Sequence, residues 1–119
     1  MTLADYITAN LRKPFAWGTF DCVSFAAGWL EIKTGINHLA GLPAWSSEEE
    51  ARRAIRSAGG LDKAISARLV RIHPNLAQDG AIGRSGRSVG IFSGPHLVIP
   101  GHDGLVFVDR TEAKCAWQS

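Results

Sequence analysis

The pattern of the chain changes at Asp79, and that change limits the fold more than any other feature. Up to about residue 70 the apolar residues recur at helical spacing. From Asp79 onward "DGAIGRSGRSVGIFSGPHLVIPGHDGLVFVDR" is punctuated by glycine, rich in Val and Ile, and broken into runs of four or five residues. Runs of that kind are strands joined by tight turns. Helices first and strands afterwards predict an α+β domain, with N-terminal helices packed on a small antiparallel sheet. The 119 residues, 45% of them apolar, are enough for one core, so residues 1–119 are expected to form one domain, helical over 1–70 and stranded over 79–110.

Local signals place the helices. Thr2 and Asp5 form a Ser/Thr-x-x-acid cap before Leu3, Tyr6, Ile7 and Leu11, and Lys13-Pro14 ends that helix. A second helix is predicted from Asp21 or Cys22 to about Thr34, stopped by Gly35. Ser46 or Ser47 caps a third, in which three glutamates precede the arginines as the helix dipole prefers. "LDKAISARLV" reads as a short fourth helix. In the second half, Val89–Phe92 and His96–Ile99 form a hairpin around Ser93-Gly94-Pro95, and Leu105–Val108 follows the turn at Gly101–Gly104.

Composition excludes several functions. No apolar run approaches the roughly 20 residues of a membrane span, so no membrane partner is expected. The opening "MTLADYITANLRK" lacks the basic-then-apolar order of an export leader, which predicts synthesis in the cytoplasm. Cys22 and Cys115 are the only cysteines; without CxxC or Cys/His spacing, neither a metal nor another cofactor is expected. A net charge of +2 gives little reason to expect a nucleic-acid partner. The charge is uneven, because Arg52 to Arg87 carry eight basic residues against Asp62 and Asp79. A solvated helix face and a surface for a polyanion both fit that count.

The candidate for chemistry is Cys22, in "FAWGTFDCVSFAAGWL". A thiol in the first turn of a helix meets unpaired N–H groups and the positive end of the dipole, which favour the thiolate. The same N–H groups can hold an oxyanion. Cys22 also continues the apolar stripe of Phe25, Ala26 and Trp29, which fits a packed core thiol. Cys115, in a polar C-terminal stretch, reads as a bystander.

"WGTFDCVSFAAGWLEIKTG", then "DGAIGRSGRSVGIFSG" and "VIPGHDGLVFVD", resemble the NlpC-type branch of the papain-like fold, a group of cell-wall peptidases and amidases. The pattern also resembles a family of small proteins encoded in phage tail gene clusters, with a Trp-Gly-x-x-Asp-Cys opening and a Trp near the C-terminus, here Trp117. The resemblance implies phage tail proteins as partners, peptidoglycan as the target, and a place in the host cytoplasm during assembly and then in the virion tail. It implies Cys22 as the nucleophile, with Trp17, Asp21 and Ser88 lining the substrate site. Ser88 stands where that branch carries its base histidine, and a serine has no proton affinity at neutral pH. Of the four histidines, His96 lies at the far end of the hairpin, roughly 20 Å away at about 3.3 Å per residue. His102 is at the correct end, with Asp103 beside it to orient the ring. Two functions follow: a degenerate, non-catalytic module for tail structure or assembly, or a cysteine peptidase using Cys22, His102 and Asp103.

Overall fold

A computed structural model describes all 119 residues. Four helices come first: α1 (Leu3–Asn10), α2 (Cys22–Thr34), α3 (Glu48–Ser57) and α4 (Leu61–Ser66). The strands are β1 (Val70–Ile72), β2 (Ile82–Ser85), β3 (Ser88–Ser93), β4 (His96–Gly101), β5 (Gly104–Asp109) and β6 (Cys115–Gln118). They form one antiparallel sheet in the order β1-β6-β2-β3-β4-β5. The α+β class is as expected.

The local signals act as read. Thr2 and Asp5 close a capping box on α1, and Asp21 and Ser24 close one on α2, which Gly35 ends in the left-handed region at φ 77°. Ser47 caps α3 through the Glu50 N–H, while the Glu50 carboxylate reaches back to Ser46. The hairpin pairs Ile91 with Val98 and Ser93 with His96, and β5 pairs with β4 along its whole length.

Two strands lie outside the 79–110 span. β1 takes Val70 and its neighbours, so the fourth helix ends at Ser66 instead of running through "SARLV". Its pairing partner is β6, at the opposite end of the chain. The C-terminal stretch is therefore an interior strand, second from the edge of the sheet, and Cys115 is buried.

The alternation along the strands builds two apolar layers. Val89, Ile91, Val98, Cys115 and Trp117 face the helices and pack with Phe25, Trp29 and Ile7. Phe92, Leu97, Ile99 and Ala116 face the other side, beneath Ala77, Ala81 and Ala113. α2 lies across β3, which brings its first turn against the beginning of that strand.

Candidate functional site

Asp21 organises the region around the thiol. Its side chain is 1% exposed and accepts three hydrogen bonds: from the Ser24 N–H at 2.8 Å, the Gly18 N–H at 2.8 Å and Trp45 Nε1 at 2.7 Å. One carboxylate thus joins the turn before α2, the start of α2 and the loop before α3. Gly18, at φ 85°, lies so close to Trp45 that a Cβ would collide with the Trp45 carbonyl. This accounts for the Trp-Gly-x-x-Asp-Cys pattern: glycine for the approach, aspartate for the cap. Asp21 lines the cleft, but its oxygens are occupied by the fold.

Cys22 sits in the first turn of α2, where the N–H groups of Val89, Cys22 and Val23 face its sulfur. The predicted neighbourhood, thiol against the strand that begins at Ser88, is present. Of the two readings of this thiol, the surroundings favour the packed one. Burial pushes the Cys22 thiol above its ordinary value, and the adjacent Asp21 charge adds to that; together they outweigh the three N–H groups. Partial burial and the charge of the capping carboxylate oppose the helix dipole at this thiol.

Cys22 opens on a cleft of about 830 Å³ walled by Trp17 and Trp45, by α3 and α4, and by the β2–β3 turn. No histidine lines it. His102 and Asp103 stand on the β4–β5 turn, with side chains 95% exposed and Nε2 to Oδ1 3.9 Å apart. The structure therefore groups Trp17, Asp21 and Cys22, and leaves the expected base and its orienter outside. Ser88 is half-buried and pairs with Ser85 across β2–β3; it does not line the cleft, although its neighbour Arg87 does. Of the other tryptophans, Trp29 is core, as its stripe suggests, and donates to the Gly80 carbonyl. His38 is half-buried in the loop after α2, with Nδ1 3.1 Å from the Ile36 carbonyl.

Residues 1–119 match the model of a family described as a domain of unknown function, DUF6950. The chain belongs to that family. No curated protein and no solved structure matches this DUF6950 chain.

Two features of this DUF6950 domain escape a reading of the sequence. Trp45 holds Asp21 from 24 residues away, and no local pattern announces that bond. In the cleft wall, Arg84 forms a two-pronged pair with Asp62, and Arg84 and Arg71 both donate to Cys115 Sγ, at 3.3 and 2.9 Å. The thiol read as a bystander is enclosed by two guanidinium groups. The basic excess between Arg52 and Arg87 was the one available signal for this side of the molecule.

Proposed function

We propose that this domain is a papain-like, NlpC-type module that keeps the peptidase scaffold without its proton-transfer machinery, and that it serves as a structural or assembly piece of a phage or prophage tail. The observation that carries the reading is the cleft itself: Cys22 lies on its floor at the start of α2, and no histidine lines it. Acyl transfer from a thiol whose pKa is raised needs a base to take its proton, and a base acts only within hydrogen-bond reach. His102 is turned to solvent on the β4–β5 turn. The order of elements supports the scaffold: a cysteine-led helix lying across an antiparallel sheet. The tail setting rests on the resemblance of the motifs, and implies tail proteins as partners.

The test is purified peptidoglycan incubated with the wild type and with Cys22→Ala. The expected result is no release of muropeptides by either. Release that disappears in Cys22→Ala and in His102→Ala would instead establish a cysteine peptidase or amidase. Mass spectrometry of purified particles from the encoding phage tests the tail placement, with the chain expected among the tail proteins.

A further inference from the structure

The cleft carries an excess of positive charge that the fold does not use. Five cations line it, Arg52, Arg56, Lys63, Arg84 and Arg87, against the carboxylates of Asp21, Glu48 and Asp62. All three carboxylates are committed. Asp21 holds Gly18, Ser24 and Trp45, Glu48 pairs with Arg52 at 2.6 Å, and Asp62 pairs with Arg84. Arg56, Lys63 and Arg87 make no ion pair and no side-chain hydrogen bond, and all three are exposed. They come from three different elements: the last turn of α3, α4, and the β2–β3 turn. Five cations less three carboxylates leave +2 in the cleft, which equals the net charge of the whole chain.

Between these cations the walls are apolar. Val23, Ala51, Ile55 and Leu61 line the cleft, and Trp17 stands at it 38% exposed, braced edge-on by Phe15 with ring centroids 4.7 Å apart. A volume of about 830 Å³ lies within the roughly 300–1,000 Å³ of ligand pockets, which suits a short segment and not a folded domain. We propose that this cleft docks a short acidic peptide segment of a protein partner, its apolar side chains against Trp17 and Ile55 and its carboxylates on Arg56, Lys63 and Arg87. The proposal rests on the reading that the cleft binds without cleaving. Three separated cations around an apolar floor match alternating carboxylate and apolar side chains; a nucleic-acid strand calls for a continuous basic track, which Glu48 and Asp62 interrupt here. Complementary rim charges set the choice of partner and the rate of encounter.

The experiment is fluorescence anisotropy with a fluorescein-labelled peptide of about ten residues built from Glu, Leu and Gly, its counterpart with Lys for Glu, and a single-stranded oligonucleotide. The acidic peptide is expected to bind, and to weaken severalfold as salt rises to about 0.5 M. Combined Arg56→Glu, Lys63→Glu and Arg87→Glu is expected to weaken it by about tenfold or more with unchanged circular dichroism. Arg53→Glu, outside the cleft, should stay within about twofold. The proposal is overturned by equal binding of the basic peptide, by tighter binding of the oligonucleotide, by no binding of the acidic peptide, or by a triple variant that binds like the wild type. Mass spectrometry of the recovered peptide separates the two readings: a bound peptide cut in a Cys22-dependent way sinks the non-catalytic reading and leaves docking intact, whereas an intact, unbound peptide does the reverse.

Discussion

Trp45 Nε1 donates to Asp21 Oδ2 across 2.7 Å, and this bond ties the loop before α3 to the cap of α2. The same oxygen also accepts from the Gly18 N–H. Removing the carboxylate therefore uncaps the helix and strands two further donors at once. Asp21→Ala is expected to cost about 3 kcal/mol in urea unfolding. Trp45→Phe should cost about 1–2 kcal/mol, and the double variant less than the sum, since the two changes delete one bond. Additive losses would show that the bond contributes nothing to stability.

Gly18 has a separate requirement. Its φ of 85° and its contact with the Trp45 carbonyl both resist a side chain. Gly18→Ala is expected to cost at least about 2 kcal/mol. Gly86, also at positive φ but with open space around it, should lose less on the same change, because only the backbone conformation is opposed. Thermal melts of the two variants check the order.

The Cys22 thiol titrates above its ordinary value because it is buried beside Asp21. Alkylation by iodoacetamide is therefore expected to rise with a midpoint above the ordinary thiol value of about 8.5. The same shift has a consequence for stability. A pKa raised by folding means that the native state prefers the neutral thiol. The contribution is full below the unfolded-state value and is lost as pH rises through the folded one. The urea midpoint should accordingly fall on the alkaline side in the wild type and fall less in Cys22→Ala. A midpoint of alkylation under 8.5 would show an activated thiolate and overturn this account.

Arg84 holds the Asp62 carboxyl below its ordinary range, chiefly through their hydrogen bonds. Here the sign is opposite: the stability is present above the unfolded carboxyl value of about 3.9 and is lost as pH falls through the lowered one. Asp62 is 38% exposed, so screening keeps the contribution small. Arg84 also serves Cys115 and the Gly86 carbonyl. Arg84→Met is expected to cost about 1–2 kcal/mol at neutral pH and to flatten the acid limb of the stability curve. An acid limb identical to the wild type's would remove the pair from that account.

Interactions that close within about four residues were determined by the sequence alone: the Thr2–Asp5 and Ser47–Glu50 caps, the Gly35 stop, and the turn between β3 and β4. Each is a contest between neighbouring backbone and side-chain groups, which the rest of the molecule barely alters. Tertiary structure decided the remainder. Val70–Ile72 is too short a run of alternating β-branched residues to announce a strand, and it becomes β1 by pairing with β6 from the other end of the chain. The state of Cys22 likewise depends on what covers α2 and on a carboxylate held in place by Trp45. Residue spacing puts His102 at the Ser88 end of the hairpin, yet which way a turn side chain points depends on packing, and this one points to solvent. Burial and long-range charge are set when distant segments close on one another, and no window of sequence contains both partners.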